Sequence, residues 1–324
     1  MTLWEARLRA AWADAASRSG QERRFRTQRL SPDLRLDVHA GLRFTDNALC
    51  LVIEAPAPAE AHFEAGGMRL STAADDHGPL LVLSLEDSVR ADLFTNVCAD
   101  VVAAAAAAPQ GEELSAFLAR LDAWRRFLRD RRSGLARHEV VGLIGELTVL
   151  VDLLRRDSSA LALWTAPDDG LQDFVRDGVA MEVKSTIGTA TALRISRLDQ
   201  LETTGLSRLI LMHVLMVQTE GGETLRDLIA RVLSLLPGDN EQRLFQNALL
   251  RRGLMPDDEE ARVQPAILVR AIEAYQVADD FPRLTRSTVP GAISEAQYEI
   301  ELRDIVGFRI DAPQTLADFV GGGA

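Results

Sequence analysis

The chain has 324 residues, 26% of them charged, and a formal net charge of −12 at pH 7. This length suffices for two or three domains with sizeable cores, and the negative charge argues against a protein that coats nucleic acid nonspecifically. Apolar runs are too short for a transmembrane helix, the first twenty residues lack a signal-peptide core, and Cys50 and Cys98 lie in apolar segments. We therefore expect a cytoplasmic protein with reduced thiols and no membrane partner.

Residues 1–110 predict a β-rich N-terminal region with flanking helices. Apolar residues at helical spacing predict a helix over 1–20, and the alanine-rich run 91–107 predicts another. Apolar and polar residues alternate from about residue 33, and three further segments have strand-like composition. These segments are 48–54, 68–71 and 79–85. We expect them to form a small antiparallel sheet.

Residues 111–220 predict helices followed by strands. The helices span 114–132 and 138–156, and the second contains the sequence GLIGEL. The run LILMHVLMV at 209–217 is continuously apolar, which is typical of a strand buried on both faces of a sheet. A short helix is predicted near 197–204.

Residues 221–324 predict an α/β C-terminal extension packed on the preceding core. Segments 222–236 and 239–253 have helical spacing, and QYEIELRDI alternates as a strand does. The predicted fold class is therefore mixed α/β, in three parts.

The sequence QDFVRDGVAMEVKS, residues 172–185, predicts a β-hairpin. A two-residue type I′ turn requires positive φ at both positions, and Asp177-Gly178 favours it. This turn pairs Phe174 with Met181 across the two strands. The same register predicts that the residues just outside this pair also face each other.

Two carboxylates and the single lysine of the chain share one face of this hairpin. The register places Asp173 opposite Glu182, and the period of two places Lys184 beside them. Like charges facing each other are destabilising, and a divalent cation would relieve them. An ammonium is compact and its pKa can shift, so it suits a place beside a reacting water better than a planar guanidinium does. This would explain a lysine here, in a chain where 35 of the 36 Lys and Arg residues are arginine. The alternative is a solvated surface strand with alternating Glu and Lys.

The pattern Asp-x8-Glu-x-Lys on a hairpin, after a helix bearing GLIGEL, resembles the PD-(D/E)XK nuclease superfamily. More narrowly, it resembles the uncharacterised bacterial PD-(D/E)XK motif proteins that are encoded beside restriction-modification or phage-defence genes. The resemblance spans residues 135–216. It implies a restriction-endonuclease-like core within 111–220.

The resemblance implies a role for each matching residue. Asp173 and Glu182 would hold Mg²⁺, or Mn²⁺ as a substitute, with the Val183 carbonyl as a third ligand. Lys184 would orient the attacking water or help to deprotonate it.

Glu146 of GLIGEL would be an additional acid, reaching the metal directly or through water, and Gln200 would lean towards the site or the phosphate backbone. The alternative for Glu146 is a single acid at the edge of an apolar helix stripe. The literal Pro-Asp pair is Pro167-Asp168, but the hairpin register favours Asp173 as the metal ligand.

An arginine-rich segment follows the helix at 114–132. The candidate DNA contacts are Arg125, Arg129, Arg132 and Arg137 of the arginine-rich stretch 125–137, together with Ser185 at the end of the hairpin. Basic residues at the C-terminal end of a helix also stabilise its dipole, so a structural role is the alternative. The histidines show no metal-ligand spacing, and His213 is expected in the core.

These features predict a Mg²⁺-dependent endonuclease that cleaves DNA in bacterial restriction or phage defence, alone, as a homodimer or with other defence proteins. The alternative is a non-catalytic subunit that uses the same fold to bind DNA or protein. A plain scaffold with a solvated hairpin is the third alternative.

Overall fold

The computed structural model describes residues 2–17, 24–55, 62–75, 78–130, 135–168, 170–256 and 258–322. The chain divides into two compact units, 1–132 and 133–324. The division expected from the sequence, at 110 and 220, is different. The helix after residue 112 belongs to the first unit, and strands from the C-terminal third join the sheet that contains the hairpin.

The first unit combines helices with an antiparallel sheet. Its helices are α1 (Leu3–Ser17), α2 (Ala91–Ala106) and α3 (Glu113–Asp130). Its strands are β1 (Phe25–Arg29), β2 (Val38–Arg43), β3 (Leu49–Glu54), β4 (Phe63–Ala65), β5 (Met68–Asp75) and β6 (Gly78–Leu85). All neighbouring strands pair antiparallel, in the order β1-β2-β3-β6-β5-β4. The predicted antiparallel sheet is confirmed.

Two details of this sheet differ from the prediction. Leu34 and Leu36 are buried, as their alternation indicates, but the strand begins only at Val38. Strand β1 has the sequence FRTQR, whose single large apolar residue gives no strand signal. Cys50 and Cys98 are free and buried.

The second unit is built around a mixed sheet. Its helices are α4 (Arg137–Leu154), α5 (Leu225–Leu235), α6 (Asp239–Arg251), α7 (Glu259–Val263) and α8 (Ala312–Gly321). Its strands are β7 (Phe174–Arg176), β8 (Val179–Ile187), β9 (Ala192–Ile195), β10 (Arg208–Glu223), β11 (Ile267–Gln276), β12 (Tyr298–Glu301) and β13 (Arg309–Ile310). The sheet order is β13-β11-β10-β8-β7, with β8 and β10 parallel, and β9 pairs with β12 in a separate ribbon.

Apolar layers cover both faces of this sheet. On one face Val183 and Met212 pack with Leu143 of α4. On the other face Ala180 and Leu211 pack with residues of the β9-β12 ribbon. Strand β10 lies in the middle of the sheet and is buried on both sides, which explains its uninterrupted apolar sequence. The mixed α/β fold class is confirmed and is consistent with a restriction-endonuclease-like core.

Helix α4 approaches β8 closely because Gly145 has no side chain. A Cβ built on Gly145 would lie 1.7 Å from Ser185 Oγ and 3.1 Å from Ser185 Cβ. Gly142, one helical turn earlier, has nothing within 4 Å of its own ideal Cβ. The GLIGEL sequence thus contains one glycine that the packing requires and one that it does not. No helix of the described residues is long and apolar enough to cross a membrane.

We expect Gly145→Ala to destabilise the protein by about 1–3 kcal/mol, because the new methyl group overpacks the contact between helix and strand. The matched control is Gly142→Ala, which should be neutral or stabilising by up to about 1 kcal/mol through helix propensity. Urea unfolding of the two variants measures the difference. If both alanines are tolerated equally, α4 does not approach β8 as closely as described.

Candidate active site

The hairpin forms in the predicted register. Phe174 pairs with Met181, and the turn residues Asp177 and Gly178 have φ angles of 47° and 81°. The ladder ends at Phe174, because the carbonyl of Asp173 instead accepts hydrogen bonds from the backbone N–H groups at 165 and 166, at 2.9 and 3.2 Å. The predicted backbone pairing of Asp173 with Glu182 is therefore not part of the ladder.

Asp173 nevertheless lies beside Glu182 through its side chain. Its Oδ2 accepts a hydrogen bond of 2.7 Å from the backbone N–H of Val183, the residue after Glu182. Desolvation raises the pKa of Asp173 well above its ordinary value, and the nearby carboxylates of Glu182 and Glu146 raise it further. Asp173 is thus a half-buried acid held among other acids.

Glu182 and Lys184 project from the same face of β8, as predicted. Lys184 Nζ donates to Glu182 Oε1 at 2.7 Å and to Gln200 Oε1 at 2.9 Å. Glu182 is buried, and desolvation raises its pKa despite the opposing effect of Lys184. Gln200, in the short 3-10 helix Leu198–Leu201, also accepts from Ser196 N at 2.9 Å. Lysine, glutamate and glutamine therefore form one bonded group.

Glu146 enters the site from α4 and is already engaged by two side chains. Arg252, which directly follows α6, donates through Nε to Glu146 Oε2 at 3.2 Å and through Nη2 to Oε1. Trp164 donates its indole N–H to Oε2 at 3.0 Å. The ion pair with Glu146 raises the pKa of Arg252, and the charge of Asp173 adds to this effect. Both oxygens of Glu146 thus have partners.

The arrangement has the chemistry of a divalent-cation site. The carboxylates of Asp173, Glu182 and Glu146 lie near enough to influence one another, and the cations Lys184, Arg197 and Arg252 offset part of their charge. Asp173 Oδ1 and Glu182 Oε2 accept no hydrogen bond from any residue that the structure describes. A hard cation such as Mg²⁺ is commonly bound through one or two carboxylates and water, which these two free oxygens fit.

The match to a known family extends over most of the chain. A family model described as "Putative PD-(D/E)XK family member, (DUF4420)" matches residues 8–303. The chain belongs to this family. No curated protein and no solved structure matches this chain. The resemblance identified in the hairpin is confirmed, and the match includes both units.

The literal Pro-Asp pair lies in a short 3-10 helix before the hairpin. Asp168 ends the short 3-10 helix Ala166–Asp168 and forms an ion pair of 3.0 Å with Arg251 Nε. Its side chain is 55% exposed, whereas Asp173 contacts the strand that bears Glu182. Asp173 is the acid that the fold brings to the site.

The candidate DNA contacts differ in their local surroundings. Ser185 Oγ is buried against Gly145 without a partner among the described residues, so it does not lie on an accessible surface. Arg125 donates to Asp122 at 3.0 Å, and Arg137 donates to Gln218 at 2.6 Å. Arg129 is exposed in the last turn of α3, and Arg132 lies outside the described residues.

Histidines behave partly as expected. His213 is buried in β10, with Nε2 2.8 Å from Thr186 Oγ1. His39 differs from the prediction, because the fold brings its Nε2 to 3.0 Å from Asp37 and 3.4 Å from Glu54. These three groups could hold a metal ion. Arg29 already neutralises Asp37 at 3.0 Å, so an ion-pair network accounts for this cluster without a metal.

Sequence reasoning did not find Trp164 and Arg252. Each lies far from Glu146 along the chain, 18 residues for the tryptophan and 106 for the arginine. Arginine at the end of a helix ordinarily indicates a dipole interaction, so Arg251-Arg252 gives no local sign of a role in the site. The sequence signal that was available is general: a buried acid on an apolar helix needs a cationic or hydrogen-bonding partner from elsewhere in the chain.

The raised pKa of Asp173 leads to a prediction about metal-free stability. The folded state binds this proton more tightly than the unfolded state, so stability should fall as pH rises above the ordinary Asp pKa of about 3.9. Asp173→Asn removes the repulsion and should raise the melting temperature at neutral pH in EDTA, with a weaker pH dependence. Thermal unfolding from pH 4 to pH 8 tests this.

The matched control is Asp177→Asn, which neutralises an exposed acid in the turn of the same hairpin. It should leave the pH dependence of wild type in place. Equal behaviour of the two variants would contradict the picture of Asp173 as an acid destabilised by its surroundings.

Proposed function

We propose that this protein is a Mg²⁺-dependent nuclease that hydrolyses DNA phosphodiester bonds. The observation that supports it best is the meeting of Asp173 and Glu182, each with a free carboxylate oxygen, beside the single lysine of the chain. Family membership supports a nuclease-like fold.

Asp173 and Glu182 would hold the ion, and Mn²⁺ would substitute for Mg²⁺. Val183 donates its N–H to Asp173, and in an extended strand the carbonyl of a residue points to the same edge as its N–H. The Val183 carbonyl is therefore suited to be a third ligand. The ion would stabilise charge on the phosphoryl oxygens and make water a better nucleophile.

Lys184 is suited to orient the attacking water. An ammonium has three donors, and Lys184 spends two of them on Glu182 and Gln200. The third remains for a water or a phosphoryl oxygen. The side-chain amide nitrogen of Gln200 donates to no acceptor in the described part of the chain, so it can contact the phosphate backbone.

The reaction balances with water alone. The water oxygen bonds to phosphorus, one phosphorus–oxygen ester bond breaks, and one water proton ends on the leaving alkoxide. The products are a phosphate monoester and a hydroxyl group. Lys184, hydrogen-bonded to a metal-binding carboxylate, can hold the water on the side where it attacks.

The restriction or phage-defence setting belongs to this proposal through resemblance alone. The cytoplasmic location is inferred from the sequence, and a homodimer or defence-protein partners complete the proposal. The net charge of −12 favours a partner or a local basic surface for DNA recruitment.

Thermal unfolding with EDTA and then with Mg²⁺ or Mn²⁺ tests the metal site. A ligand that binds only the folded state stabilises it by about 2.7 kcal/mol at one hundred times its Kd, so wild type should melt at a higher temperature with the ion. Asp173→Asn should lose this response. Asp168→Asn should keep it, because Asp168 is exposed and forms an ion pair with Arg251.

Cleavage assays on DNA and on RNA of the same sequence test the chemistry. Lys184→Met should lower the rate by about 10²–10⁴-fold while metal stabilisation persists. A wild type that binds the ion and DNA but cleaves neither substrate would favour the alternative, a non-catalytic binding subunit. Cleavage that survives Lys184→Met unchanged would remove the assigned role of the lysine.

A further inference from the structure

Arg252 has hydrogen-bond donors to spare. A guanidinium carries five N–H donors, and two of the three nitrogens of Arg252 donate to Glu146. The third, Nη1, donates to no acceptor in the described ranges. The side chain is 26% exposed, so a ligand can reach it.

The guanidinium also lies within electrostatic reach of a proposed metal ligand. The charge of Asp173 acts on Arg252, and the charge of Glu146, to which Arg252 is bonded, acts on both Asp173 and Glu182. Lys184 is bonded directly to Glu182 at 2.7 Å. Cations from β8 and from the end of α6 therefore both act on the acids of the site.

Glu146, in contrast, has no oxygen without a hydrogen-bond partner. Its carboxylate accepts two hydrogen bonds from Arg252 and one from Trp164, and its side chain is only 5% exposed. A metal ion at Glu146 would compete with Arg252 for this carboxylate, and breaking the ion pair of a buried acid is strongly unfavourable.

We propose that Arg252 is the phosphate-binding cation of this site and that Glu146 anchors it instead of binding the metal ion. The inference rests on the proposed nuclease function and specifies its substrate contact, a phosphate of the nucleic-acid backbone. A guanidinium fork matches phosphate oxygens, and the anchor fixes its orientation before substrate arrives.

The decisive variant is the double substitution Glu146→Gln with Arg252→Met. It removes both charges of the pair, leaves the net charge unchanged and retains an acceptor for Trp164. Arg252→Met alone leaves a buried carboxylate unpaired and should melt at a lower temperature than the double variant. Arg251→Met is the matched control, since it removes an adjacent arginine whose partner Asp168 is exposed.

Two quantities are measured on each full-length variant. Isothermal titration with Mn²⁺ alone gives the metal affinity. Fluorescence anisotropy of a labelled DNA duplex, with Ca²⁺ in place of Mg²⁺ and at several salt concentrations, gives the DNA affinity and its salt dependence.

We expect the double variant to bind Mn²⁺ as wild type does and to bind DNA about 10- to 100-fold more weakly. The slope of log affinity against log salt should become shallower by about one, which is the loss of one phosphate contact. Arg251→Met should leave the Mn²⁺ affinity and the DNA affinity near those of wild type.

Loss of Mn²⁺ binding in the double variant would overturn the inference, because Glu146 would then be a metal ligand. A DNA affinity no weaker than that of Arg251→Met would also overturn it, because Arg252 would not contact phosphate. A wild type that binds neither Mn²⁺ nor DNA would instead contradict the proposed nuclease function, and the role of Arg252 would fall with it.

Discussion

The carboxylates of Glu146, Asp173 and Glu182 repel one another in a largely buried site. This repulsion requires the surrounding residues to supply hydrogen-bond donors and positive charge. Desolvation alone raises the pKa of Asp173 and Glu182, and their proximity to each other and to Glu146 adds to the cost of ionising them. Hydrogen bonds from a backbone N–H, an ammonium, a guanidinium and an indole offset part of that cost. Without function, such a convergence would be a liability, since uncompensated buried charges are strongly destabilising.

Lys184 and Arg252 make different kinds of contact with the acids of the site, and each contact suits the type of side chain at that position. Lys184 bonds two neighbours and retains a third donor that can rotate. Arg252 holds both oxygens of one carboxylate, a bidentate contact that an ammonium cannot make. A chain that otherwise uses arginine has thus kept an ammonium where a compact and adjustable charge is useful.

Sequence patterns predicted the hairpin, its turn and its faces because these depend on neighbours along the chain. Period two, together with positive φ at Asp177-Gly178, fixes which side chains share a face. The continuous apolar run of β10 likewise indicated a central strand. The partners of Glu146 were beyond this reasoning, because the ion pair to Arg252 depends on how α6 packs in three dimensions. For the same reason, the sequence did not show that β11 and β13 join the sheet of the hairpin from far along the chain.

The close approach at Gly145 also constrains motion. Glu146 is the next residue on α4, so the contact between Gly145 and Ser185 holds that carboxylate at a fixed height above β8. A helix seated this tightly cannot slide without a clash, because packed interiors have little free volume. Arg252 is held by the same carboxylate, so its guanidinium is fixed together with the helix. The seating of one glycine thus sets the position of an acid and, through that acid, of a cation from the end of α6.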